Sequence, residues 1–179
     1  MFLHWVPFPT VDIMTNQAPT PAVQQNQDAN VPFFNIQRVY LKGTSLELPG
    51  APELFLEQSQ LTSDLDVKLD ATEKAPGIFE VVLHVTLTAK NPESGKPAFL
   101  LEVDQAGIFE LRNIPAEHVQ GLLYVRAPAI LTNYVRVQIT DTLSRATLPQ
   151  FILPEFDWSQ NLQAAAAAAA AEPTNRIMR

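Results

Sequence analysis

From Phe79 to Ala89 the apolar residues fall at every second position: Phe79, Val81, Leu83, Val85, Leu87 and Ala89. Glu80, His84, Thr86 and Thr88 fill the gaps, with Val82 the exception. Extended backbone sends successive side chains to opposite sides, so a period of two gives one buried face and one wet face. The same spacing returns in Leu65, Val67 and Leu69, set against Asp64, Asp66, Lys68 and Asp70. It returns again in Phe99, Leu101 and Val103, set against Leu100, Glu102 and Asp104. NPESGKP, between the 79–89 and 99–104 stretches, is a turn-rich link suited to a hairpin. A fourth extended stretch, Phe33 to Leu41, is rich in aromatic and β-branched residues. These are the marks of antiparallel strands.

After the first strand comes KGTSLELPGAPELF, whose two prolines and two glycines oppose a helix and interrupt any ladder. It reads as a long crossing segment. Past Asn113 the pattern changes. Pro115 suits the first turn of a helix and Glu117 its positive end, so a helix is expected to about Ala127. Pro128 can open a second helix, with Ile130, Tyr134 and Val137 at helical spacing, but Val135, Val137 and Ile139 also alternate as a strand would. FILPEFDWSQNLQ then leads into a terminal helix. Strands first and helices afterwards is the order of an α+β domain.

Both ends differ in composition from the middle. Residues 15–32 are rich in Gln, Asn, Pro and Ala with Asp28 as their one charge, too polar to offset an ordering entropy. Residues 1–32 are therefore expected to be a disordered arm. Its first stretch, MFLHWVPFPTVDI, is apolar, but it lacks a basic start and a cleavage site, and Pro7 and Pro9 interrupt it. Met14 offers an alternative start that would leave residues 1–13 untranslated. Ala164 to Ala171 form an unbroken alanine run, expected to extend the last helix until Pro173 stops it. The folded domain is then 33–163 and the tail 164–179.

Twelve basic residues against 19 acidic ones give a formal charge of −7. Nucleic-acid binding needs a basic stripe, and none is visible, so no nucleic acid is expected as partner. No apolar run outside the alanine-biased tail is long enough to span a bilayer, so no membrane insertion is expected and the chain reads as cytoplasmic. There are no cysteines, which removes disulfides and thiolate chemistry. His4, His84 and His118 share no metal-ligand spacing, and Asp64, Asp66 and Asp70 read as a solvated strand face. With no nucleophile elbow, dinucleotide fingerprint or phosphate loop, neither an enzyme, a metal nor a cofactor is expected. What stands out is apolar surplus: Leu100 among acids, and Leu46, Leu48, Leu54, Phe55 and Leu56 in an irregular segment, either core lining or a binding surface.

Residues 34–55, FNIQRVYLKGTSLELPGAPELF, resemble the first strand and crossover of the bacterial SecB protein-export chaperones. The shared pattern is Ile36, Gln37, Arg38, Val39 and Tyr40, then Ser45, Glu47, Pro49, Ala51, Pro52 and Phe55. FEVVLHVTLTA from Phe79, AFLLEVDQAGIF from Ala98 and LPQ at 148–150 resemble further family motifs in the same order. The resemblance covers about residues 33–163. It implies an α+β fold with a four-stranded antiparallel sheet and long helices on one side, and so a helix at 128–145.

By the same resemblance the chain would be an ATP-independent holdase, assembled as a homotetramer (a dimer of dimers). It would bind unfolded precursor proteins and deliver them to the SecA translocation motor. Pro49, Ala51, Pro52, Phe55, Ile130 and Tyr134 would line the client groove. Glu47, Leu100 and Glu102 would meet the zinc-bearing C-terminal tail of SecA, the zinc being the partner's. Leu101, Val103 and Gln105 would serve subunit packing. Two departures are visible: Gly43 stands where the family has an aspartate, and Thr132 to Val137 keeps only Tyr134 and Arg136 of a helix motif. A SecB-like chaperone dedicated to one partner, such as an antitoxin, is the competing reading.

Overall fold

The computed structural model describes residues 31–56, 60–160 and 162–163. Four strands carry it: β1 (Phe33–Glu47), β2 (Thr62–Ala75), β3 (Ile78–Lys90) and β4 (Pro97–Arg112). They pair antiparallel in the order β1-β4-β3-β2, so β1 and β2 are the two edges. The crossing segment carries the chain from one edge to the other. It is not free of helix, as its prolines suggested: α1 (Glu53–Leu56) is a single turn after Pro52, started by the Leu54 amide donating to the Gly50 carbonyl at 2.7 Å.

β1 also runs past Leu41, where the sequence pattern stops. β4 is 16 residues long and offers partners as far as Leu100, so the ladder continues to Glu47. An irregularity between Leu41 and Gly43 absorbs Lys42 and restores register. β4 likewise extends through 105–112, where Ala106 and Gly107 hide the alternation.

Register alignment puts the odd-numbered apolar residues of the alternating stretches in β2, β3 and β4 on one side. Leu83 faces Gln105, Val85 faces Val103 and Leu87 faces Leu101 across β3 and β4, and Leu65, Val67 and Leu69 extend the row onto β2. A helical run covers that side: α2 (Ala116–Gly121), one wide π turn (Leu122–Arg126) and α3 (Ala127–Arg145). Only α3, at 19 residues, is long among the described helices. The wide turn has a cause. Pro128 has no N–H to give, and the Ala127 amide donates instead to the Leu122 carbonyl, five residues back.

α3 buries Leu131, Val135, Ile139 and Leu143, at spacings of four, against β4 and β3. The segment the alternation left divided is therefore helix, with Val137 pointing away at 65% exposure. Gly107 makes the close fit possible. A Cβ there would stand 2.6 Å from the Phe109 ring and 3.2 Å from Leu131. Beyond α3 the chain returns over the core, burying Leu148, Leu153 and Trp158, and turns helical at 158–160. The expected disordered arm, most of the terminal helix and the alanine tail lie outside the described residues.

Candidate functional site

Two surfaces collect part of the sequence-derived site residues. The first is the side of the sheet that none of the described helices covers. Glu47 and Leu100 are ladder partners there, and Ser45 faces Glu102 two pairs further on, with its hydroxyl donating to the Glu102 carboxylate at 3.0 Å. Glu47, Leu100 and Glu102 therefore sit side by side on the open face. Asp64, Asp66, Asp70 and Asp104 share that face. Asp66 pairs with Lys68 at 2.9 Å, which raises the Lys68 ammonium above its ordinary pKa. His84 is held across three strands, its Nδ1 2.6 Å from Asp104 and its Nε2 3.3 Å from Asp70. Gly43 lies opposite Asp104, whose carboxylate lies 3.3 Å from where a Cβ at 43 would stand.

The far end of the same face is pinned by Glu80, a residue the sequence reading placed only as a polar gap-filler. It is nearly buried and accepts from the Tyr40 hydroxyl, from Lys42 at 2.9 Å and from Lys74 at 3.0 Å. The Tyr40 hydrogen bond, then the two lysines, lower its pKa to about 2, against a desolvation that would raise it. The same bond raises Tyr40. The lysine on each side of Glu80 belongs to an edge strand, so the cluster ties β1 and β2 to β3. Among the described residues, no group of three His, Asp or Glu side chains is arranged to hold a metal.

The second surface is at the end of the sheet where β1 stops and β4 begins. A cavity of about 750 Å³ opens there, walled by Pro49, Gly50 and Leu54 of the crossover, Leu61, the β3–β4 turn, and Pro97 and Ala98. A second cavity of about 420 Å³ adjoins it through Leu61 and is lined by Phe99, Pro149 and Phe151 among others. Gly50 fixes the crossover to the sheet: its amide donates to the Ala98 carbonyl at 3.3 Å, and a Cβ on it would lie 3.1 Å from the Ala98 Cα. Phe55, Leu56 and Ile152 are all exposed at this end, an apolar rim open to solvent.

Of the groove residues expected from sequence, Pro49 lines the larger cavity, while Ala51, Pro52 and Phe55 stand exposed on the crossover beside it. Ile130 and Tyr134 are on the first half of α3 and line neither cavity. Leu61, Phe99 and Phe151 were not foreseen as lining. They come from three separate segments and share no local pattern. Leu101, Val103 and Gln105 are all buried between the sheet and α3. Gln105 Nε2 donates to the Tyr40 carbonyl at 2.8 Å, and its Oε1 has no hydrogen-bond partner among the described residues.

The family model described as preprotein translocase subunit SecB matches residues 25–169 of this sequence. The chain belongs to the SecB family. Its relatives in that family include the protein-export protein SecB of Ralstonia nicotianae, 47% identical over 135 residues, 75% of this chain and 76% of that protein. That of Burkholderia lata is 44% identical over 156 residues, 83% of this chain and 96% of that protein. Among solved structures, a SecB-like chaperone of Mycobacterium tuberculosis in complex with a peptide from the HigA1 antitoxin superposes with a TM-score of 0.58. It is 19% identical and covers 69% of this chain and 91% of that one. This likeness supports the fold. Membership makes the chain a protein-export chaperone, and the dedicated single-partner reading is not the one its relatives favour.

Proposed function

We propose that this SecB-family chain is an ATP-independent holdase of the cytoplasm that keeps unfolded precursors open and hands them to the SecA motor. The observation that carries the reading is the separation of two unlike surfaces on one sheet. One end presents two cavities whose walls mix apolar residues such as Leu54, Leu61, Ala98 and Phe99 with polar ones such as Glu53, Glu93 and Lys96. Phe55, Leu56 and Ile152 are exposed at that end, while the face beside it gathers Glu47, Leu100 and Glu102. Unfolded chains expose apolar side chains, and burying them is favourable by about 25 cal/mol per Å². Many weak contacts along one client then add through effective concentration.

The acidic face is the docking surface for the basic, zinc-bearing tail of SecA, with Leu100 as its apolar centre. The client groove runs from Pro49, Ala51, Pro52 and Phe55 towards Ile130 and Tyr134, which a single chain leaves apart and an assembly can continue. Assembly as a dimer of dimers is supported by unspent apolar surface: Ile36 and Leu41 on β1 and Tyr134 and Val137 on α3 are all exposed in the single chain. Leu101, Val103 and Gln105 act on that contact indirectly, as the bed on which α3 rests.

Titration calorimetry with the zinc-loaded SecA tail tests the docking face. Glu102→Lys should weaken tail binding at least ten-fold and leave client binding unchanged, because like charge then meets the basic tail. Unchanged tail affinity would remove Glu102 from the site.

A further inference from the structure

Residues 1–14, MFLHWVPFPTVDIM, hold Phe2, Leu3, Trp5, Val6 and Phe8 within eight positions, with Pro7 and Pro9 opposing a helix. That is the chemistry of an exported client: a short, apolar and aromatic stretch with almost no charge. It is attached to β1 through residues 15–30, a polar Gln, Asn and Pro tether. The groove that suits such a stretch is on the same chain, at the far end of β1. We infer that residues 2–8 dock in the end cavities, against the apolar part of their walls at Pro49, Leu54, Leu61, Ala98 and Phe99 beside polar Glu53, Glu93 and Lys96, and so compete with clients for them. This rests on the holdase reading above and adds a regulator to it.

Length decides whether the arm can arrive. β1 runs 15 residues from Phe33 to Glu47, about 45–50 Å of strand. A random coil of the length of residues 9–32 averages about 25–30 Å end to end, and any chain of that length reaches about 80 Å when drawn out, so the cavity is within reach but off the coil average. The resulting local concentration is on the order of tenths of a millimolar. Clients at micromolar concentration face that competitor continuously, yet a long client with several contacts still displaces it. The arm would therefore raise the threshold for binding: short or weakly apolar clients are refused and long unfolded precursors are accepted.

Trp5 makes the test direct, since the only other tryptophan, Trp158, is buried. Acrylamide quenching of the chain starting at Met1, minus that of its Trp5→Phe variant, isolates Trp5. Protection of Trp5 that a saturating unfolded client removes is the expected result. A chain starting at Met14, and a full-length Phe2→Ser/Trp5→Ser/Phe8→Ser variant, should both bind a short apolar client peptide about three to ten times more tightly than the full chain. Equal affinities with a freely quenched Trp5 would overturn the inference. So would protection that fades on dilution, which would assign the arm to a second copy, or an intact mass of the native protein beginning at Met14. If no form binds client, the holdase reading fails, and Trp5 protection alone still decides whether the arm docks.

Discussion

Glu80 shows how one side chain can tie a sheet together. Tyr40, Lys42 and Lys74 all converge on its carboxylate from the two edge strands, and this network holds its pKa near 2 instead of 4.5. A carboxyl whose pKa is lower in the folded chain stabilises fully above its unfolded pKa. That contribution is lost as pH falls from about 4.5 towards 2. Glu80→Gln keeps the shape and removes the charge, and should cost about 1–3 kcal/mol at neutral pH. Urea midpoints of the two proteins should converge as pH drops through that window. A difference unchanged at acid pH would mean the charge is not the cause. Gly107 is the other residue on which the fold turns. Gly107→Val forces the Phe109 ring and Leu131 apart and should destabilise by about 1–3 kcal/mol, read as a lower Tm.

At the scale of elements, the middles of the strands were legible from alternation and the 128–145 helix was not, for reasons the residues make plain. β3 alternates cleanly because one of its faces meets α3 and the other meets water over half its length. β4 alternates only to Asp104, since Ala106 and Gly107 are small where a helix must seat and where the open face closes up. The 128–145 segment could not be settled by period because its apolar residues serve two faces. Val135 and Ile139 fill the core, while Tyr134 and Val137 do not. Parity in β4 correctly put Leu100 and Glu102 on one outward face, so part of the candidate docking site could be read early. The cavity walls could not, because Leu61, Phe99 and Phe151 meet only after the crossover and the α3 exit fold back. Leu131→Ala, at the centre of the α3 contact and fully buried, should cost about 2–5 kcal/mol in equilibrium unfolding. A cost near zero would mean that α3 is not fixed on the sheet as described.

For the molecule as a whole, the two proposed surfaces share one end but not one face. A client occupying the apolar end leaves the acidic strands uncovered, which lets holding and handover proceed together. The outer face of α3 is a third surface, and it is the one on which the proposed assembly depends. Val137→Asp places a charge there without touching the protomer core, so sedimentation should show smaller species while circular dichroism stays native. An unchanged assembly would move the contact elsewhere. The central claim is that this chain holds unfolded precursors without ATP. The direct measurement is light scattering as a slow-folding precursor is diluted from denaturant in the presence of the protein, with an already folded client as control. Suppression of aggregation at close to one assembly per precursor, with no nucleotide present, is the expected result. Aggregation at the uncatalysed rate, with the chaperone itself folded, would contradict it.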